Sequence, residues 1–187
     1  VQELRAQINR YPGRRIDLAG YSQGAIVVGQ VLKHDIMAPG GRLHHRLKDV
    51  RKVVLWGNPM RQKGIAAFDE WIHPIASAES HGILDDRLEG LATAPFQLRD
   101  YAHSGDMYAS VLDNDRDEYK VAIGKIVMTA CDFYQGPNSL VSQLIELGMR
   151  PVEEGIAMAM AIIDAIKFFT NTAHGYNIGP AIAFLRS

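Results

Sequence analysis

The 187-residue sequence predicts an α/β fold with a mostly parallel central sheet flanked by helices. Three observations carry this expectation. A short strand over residues 15–19 runs through the tight turn 20–24 into a helix from Gln23 to about Ile36. A second strand is clear at 50–56 and is punctuated by Gly57-Asn58-Pro59. A third spans 96–101 and leads into Ala102-His103-Ser104-Gly105-Asp106.

The remaining elements fall around these. Val1, Leu4 and Ile8 have helical spacing, so residues 1–10 read as a helix that Tyr11-Pro12-Gly13 breaks. The stripe Val27, Val28, Val31 and Leu32 gives the next helix its apolar face, and Pro39-Gly40-Gly41 ends it. Residues 60–95 carry few periodic signals. Beyond Tyr119 the pattern turns wholly helical, over 121–129, 139–147 and 152–170. The last of these opens with Pro151, Glu153 and Glu154, which suit a helix N-terminus. Its centre, 155–163, is apolar on all sides, but Glu153, Glu154, Asp164 and Lys167 argue against a transmembrane span. A helical insertion packed on an α/β body is the expected arrangement. Met158 and Met160 lie in that apolar stretch, to pack the insertion or to line a surface for acyl chains.

Composition narrows the function. A 47% hydrophobic and 22% charged chain is ordinary for one globular domain. The net charge is -1 and no basic stripe interleaves with aromatics, so nucleic-acid binding has no electrostatic basis. Cys131 stands alone, which excludes an intrachain disulfide and Cys-x-x-Cys metal sites. No signal peptide is visible. The acidic run 113–118 has calcium-loop spacing, but it lacks glycine at its sixth position and has Gly124 where the bidentate glutamate belongs. No metal or cofactor is expected.

The chemistry lies in Asp17-Leu18-Ala19-Gly20-Tyr21-Ser22-Gln23-Gly24-Ala25. A serine hydroxyl becomes a nucleophile only when it is exposed, beside a base and aimed at a carbonyl. A sharp strand-to-helix elbow presents Ser22 in that way, with Gly20 and Gly24 expected to keep side chains out of the strand–helix contact. The helix directs its positive end at the site, and the Gln23 backbone N–H is the expected oxyanion donor. Such an elbow, the signature of α/β-hydrolases and their serine esterases, takes an acid and then a histidine from further along the chain. Asp106, in Ser-Gly-Asp just past a strand, is the expected acid; Asp100, Asp113, Asp115 and Asp117 compete. Of seven histidines, His174 alone follows the acid, in the polar loop 171–177 before a final helix. His103 reads as a neighbour of the site. His34, His44 and His45 fall in a solvated helix and loop, and His73 and His81 have no motif.

Gly-Tyr-Ser-Gln-Gly followed by Ala-Ile-Val-Val-Gly-Gln-Val-Leu-Lys resembles the lysin B enzymes of mycobacteriophages, relatives of the cutinase-like hydrolases. The likeness continues through residues 56–64, 69–74, 99–103, 105–109 and 143–148, and through Tyr176-Asn177 and Phe184-Leu185-Arg186. It implies hydrolysis of the ester joining mycolic acids to arabinogalactan in the mycobacterial envelope at the end of phage infection. Ser22 matches the family's nucleophile, Asp106 its acid and His174 its base. The stretch 116–169 matches a linker subdomain inserted into a hydrolase body of 1–115 and 170–187.

Family members begin with a further strand whose loop supplies a second oxyanion donor, expected here upstream of Val1 in a longer parent chain. The resemblance also implies a monomer made in the infected host's cytoplasm that acts on its envelope, with a mycolyl ester lipid as partner. Two rival functions remain at this point: a cutinase-like or lipase-type esterase on other lipid esters, and a catalytically incomplete envelope-binding fragment.

Overall fold

The computed structural model describes residues 1–114, Val121 and 172–187. The helices expected over 121–129, 139–147 and 152–170, the insertion at 116–169 and Met158 and Met160 lie outside these residues, Val121 excepted.

Helix α1 spans Gln2–Arg10 and buries Ile8. It stops before Pro12, which cannot continue the helical hydrogen bonds, and Gly13 then turns the chain with φ 72°. Strand β1 covers Ile16–Tyr21, buries Leu18 and Gly20 on one face, and runs two residues past the expected end. Gly20 and Tyr21 stay extended because they pair with Leu55 and Trp56, so the whole turn is compressed into Ser22. Helix α2 is regular over Gln23–Gln30 and widens to π geometry over Val31–Met37, where one continuous α-helix is expected from periodicity. It ends as Ala38 swings to extended backbone, the conformation imposed on a residue preceding proline.

Strand β2 is Val50–Trp56, as expected, and β3 is Gln97–Tyr101, one residue short of expectation. Among the described residues the sheet has the order β1-β2-β3, and both pairings are parallel. Over Val53–Trp56 the central strand β2 carries apolar side chains on both sides, as a parallel strand covered on both faces should. Val53 and Leu55 join Leu18, Val28, Val31 and Leu32 in the main core under α1 and α2. Val54 and Trp56 face the other way, with Tyr101, Ala181 and Phe184. Ala181 and Phe184 belong to the final helix α3, Gly179–Arg186, whose end is held by buried Lys52 donating to the Phe184 carbonyl at 2.6 Å.

Residues 60–95 form loops with no long strand, which accounts for their weak periodicity. They are organised around Arg61, fully buried, which donates to the carbonyls of Ala109 and Ile65 and to Ser80 Oγ. The register brings Tyr21, Trp56 and Tyr101 side by side, so the three strands end level. The chain leaving each strand enters a common space at the carboxyl end of the sheet, where open parallel sheets place their sites.

Asp100, just before that level, is buried. It receives one side-chain hydrogen bond, from Asn58 Nδ2 at 2.9 Å, and its other oxygen has no partner among the described residues. Burial outweighs the Asn58 bond and the Arg61 charge and pushes its carboxyl up to about 7. In the unfolded chain an aspartate ionises near pH 4, so the folded state holds an extra proton between about pH 4 and about pH 7. Stability from this group is greatest below that window and falls as pH rises through it. Asp100→Asn is therefore expected to raise the melting temperature at about pH 8 and to give little or no gain near pH 4. Thermal melts of both proteins across this range check it; a constant difference at every pH overturns it.

Candidate active site

Ser22 follows β1 directly and opens α2 with φ 53° and ψ -115°. Positive φ is costly for a residue bearing a Cβ, on the order of 1–3 kcal/mol, and persists only where the surroundings enforce it. Here the Ser22 N–H donates to the Trp56 carbonyl at 2.9 Å, and its own carbonyl accepts the first helical bonds from Ala25 and Ile26. Sheet and helix thus hold the bend from both sides. Gly20 permits it: a Cβ there would lie 2.6 Å from the Gly24 carbonyl oxygen and 2.8 Å from Ala25 Cα. The matching expectation for Gly24 does not hold, since a Cβ there would face open space. The close approach is of Gly24's backbone onto Gly20, so only Gly20 needs to lack a side chain.

The three residues singled out in the sequence meet at this bend. His174 Nε2 lies 2.9 Å from Ser22 Oγ, and His174 Nδ1 lies 2.9 Å from Asp106 Oδ2. A carboxylate accepts, so Nδ1 carries the proton, and Nε2 is left to accept from the serine hydroxyl. Asp106 is completely buried, which is tolerable for a carboxylate only with its oxygens well supplied by donors. Oδ1 accepts from the Tyr108 N–H at 2.9 Å, and Oδ2 accepts from both His174 and the Tyr176 hydroxyl. Gln23, next after Ser22, is the first residue of α2. Among the described residues no group of three or more His, Cys, Asp or Glu side chains is placed to hold a metal ion.

The competing residues lie elsewhere. Asp100 bonds to Asn58, and Asp113 sits in an exposed turn with Lys63 and His81. Asp115 and Asp117 lie outside the described residues. His34 pairs with Asp86, and His44 with the Ile36 carbonyl. His103 is buried, and its ring nitrogens face Asp69 and the Ala173 carbonyl, not Ser22.

Several residues that shape the site are not evident from motif spacing. Gly57, which reads as mere loop punctuation, has φ 52° and leaves the room the histidine needs. A Cβ there would lie 2.5 Å from His174 Cε1, 2.8 Å from Nδ1 and 3.1 Å from Asp106 Oδ2. Three tyrosines surround the imidazole. Tyr21 lies 5.4 Å from it between ring centroids and donates its hydroxyl to the His174 carbonyl. Tyr108 and Tyr176 meet it edge to face at 5.1 and 6.2 Å. Burial and then the nearby Asp106 charge push the Tyr108 hydroxyl up to about 12, and the same causes raise Tyr21 and Tyr176. All three therefore stay neutral, and Tyr176 remains a donor to Asp106.

An α/β protein with a serine on a strained strand-to-helix elbow, hydrogen-bonded through a histidine to a buried aspartate, is the class that fold and site define. The chain is 56% identical to endolysin B of Mycobacterium phage L5 and 55% identical to endolysin B of Mycobacterium phage D29, over 192 aligned positions in each case. Both alignments cover 100% of this chain and 76% of the relative. The crystal structure of lysin B from mycobacteriophage D29 superposes with a TM-score of 0.73 at 55% identity, again covering 100% of this chain and 76% of that one. No family model matches the chain. The chain belongs to the endolysin B family of mycobacteriophages.

Gly57→Ala is expected to push the His174 ring by about 1 Å, the difference between the imposed contact and ordinary van der Waals separation. Its bond to Asp106 should break while the sheet remains intact. A crystal structure of the variant with both His174 contacts unchanged would refute this.

Proposed function

We propose that the chain is a serine esterase that cleaves the ester between mycolic acids and arabinogalactan of the mycobacterial envelope during phage-induced lysis. The reading rests above all on the continuous hydrogen-bonded path from Ser22 Oγ through His174 to Asp106, with Ser22 at a strained elbow. The reaction class follows from that geometry. Ser22 Oγ attacks the ester carbonyl carbon while His174 Nε2 takes the hydroxyl proton, and Asp106 steadies the resulting imidazolium. The Gln23 N–H, at the positive end of α2, donates to the oxyanion. As the tetrahedral adduct collapses, the alcohol leaves with the proton from His174 and the acyl group stays on Ser22. A water then gives its proton to His174 and attacks the acyl-enzyme, releasing the acid and restoring Ser22.

The lipid side of the substrate is supported by the surface beside the site. Phe68, Trp71, Ile72 and Ile75 are all exposed within eight consecutive residues, Ile72 at 78%. Four large apolar side chains together in water are the mark of a surface that meets an apolar partner. The same loop touches the segment carrying the histidine, where His73 Nε2 bonds Thr172 Oγ1 at 2.8 Å. The envelope ester itself is supported by membership of the endolysin B family.

Two measurements test the proposal. Ser22→Ala should lower turnover of p-nitrophenyl esters and of purified mycolyl-arabinogalactan by on the order of 10⁶, since serine and histidine act as a unit; retention of a tenth of the activity would falsify the nucleophile. Trp71→Ser with Ile72→Ser should weaken hydrolysis of long-chain esters several-fold and spare short-chain ones. Equal losses on both would remove the apolar loop from the account.

A further inference from the structure

The hydrogen bonds around His103 point beyond the Ser22–His174–Asp106 path. His103 is 1% and Asp69 0% exposed at the side chain, and His103 Nε2 lies 2.9 Å from Asp69 Oδ1. The other ring nitrogen, Nδ1, lies 3.0 Å from the carbonyl oxygen of Ala173, the residue before His174. A carbonyl can only accept, so Nδ1 bears a proton. On the other side, Asp69 Oδ1 also accepts from the Trp71 N–H at 3.1 Å, and Oδ2 accepts from the Asn177 N–H at 2.7 Å. With Nδ1 protonated, the short contact between Nε2 and Asp69 Oδ1 is a hydrogen bond with one proton between the two atoms. Tyr176 stacks on the His103 ring with centroids 4.2 Å apart, and the His73 ring lies 5.2 Å away.

We propose that Asp69 and His103 form a buried hydrogen-bonded pair that acts as a positioning device for His174, gripping its loop on both sides. His103 holds the chain one residue before His174 through the Ala173 carbonyl. Asp69 holds it three residues after, through the Asn177 N–H. Between the two grips stands Tyr176, whose hydroxyl donates to Asp106 and accepts from the His103 backbone N–H at 3.3 Å. Asp69 thus links three segments, its own loop, the end of β3 and the histidine loop. Both residues act through the histidine loop, as positioning residues and not catalytic ones. The arrangement rests on the reading of His174 as the base, and it adds the reason that a base on a loop, and not on a strand or helix, keeps its place.

The test has two arms. In ¹H–¹⁵N spectra of the intact chain, the His103 ring, recognised by its cross-peaks to the Tyr176 ring, should show a slowly exchanging proton on Nδ1, the nitrogen that faces the Ala173 carbonyl. An Nδ1 that bears no proton, or whose proton exchanges as fast as that of an exposed ring, overturns the grip on the Ala173 carbonyl. In the second arm, Asp69→Asn and His103→Gln should lower kcat by about 10- to 100-fold with KM little changed, because a displacement near 1 Å of a reacting group costs about that much. His174→Ala is the control. If it keeps full activity, the assignment of the base has failed; if it is inactive while both pair variants retain wild-type kcat, the positioning proposal alone has failed.

Discussion

Burying a carboxylate is the constraint on which the site depends. A carboxylate removed from water is strongly destabilising unless donors replace the lost solvent, and two aspartates near the carboxyl end of this sheet face that cost differently. Asp106 receives the Tyr108 N–H, the Tyr176 hydroxyl and the His174 ring N–H. Asp100 receives a single amide from Asn58, and burial pushes it up to about 7. The contrast shows what the surrounding segments accomplish. Residues 102–111 wrap Asp106 in a turn whose backbone points at it, while the chain's final segment brings the histidine and the tyrosine. Electrostatics here is a matter of which donors the loops deliver.

Much of the fold is legible in the sequence because its signals are local. The elbow is marked by Gly-Tyr-Ser-Gln-Gly between a strand and a helix, and only Gly20, not Gly24, proves to need its missing side chain. Val50–Trp56 is found to the residue because its stretch Val53–Trp56 is an unbroken apolar run, as in a parallel strand buried on both faces, and Gly57 follows directly. Asp106 and His174 follow from the order in which a nucleophile elbow recruits its partners. The misjudged boundaries have physical causes as well. Strand β1 is prolonged by pairing with β2, and the widening of α2 into π geometry leaves no trace in the spacing of its apolar residues.

What is not legible depends on contacts between distant segments. Gly57 looks like any turn glycine until His174 is packed against it. Asp69 gives no sign of its role, because the amide it accepts from, Asn177, lies 108 residues away. Tyr176 and Asp69 both fall within blocks of the lysin B resemblance, but a resemblance names positions without saying what holds them. The loops of 60–95 are the extreme case. They are organised by the buried guanidinium of Arg61 and by carbonyl acceptors, and such an arrangement has no periodicity to read.

The separation of Ser22 from His174, 152 residues along the chain, gives the topology a temporal meaning. Strand β1 and helix α2 are neighbours in sequence and bring the hydroxyl to its bend by local contacts. The imidazole comes from a distant segment, anchored by α3 docking on Val54 and Tyr101 and by Lys52 donating to the Phe184 carbonyl of that helix. Long-range closures of this kind are slow compared with local structure. A growing or partly opened chain therefore displays the Ser22 hydroxyl without the His174 ring beside it, and the hydrogen bond between them forms only when these distant segments have met across the sheet.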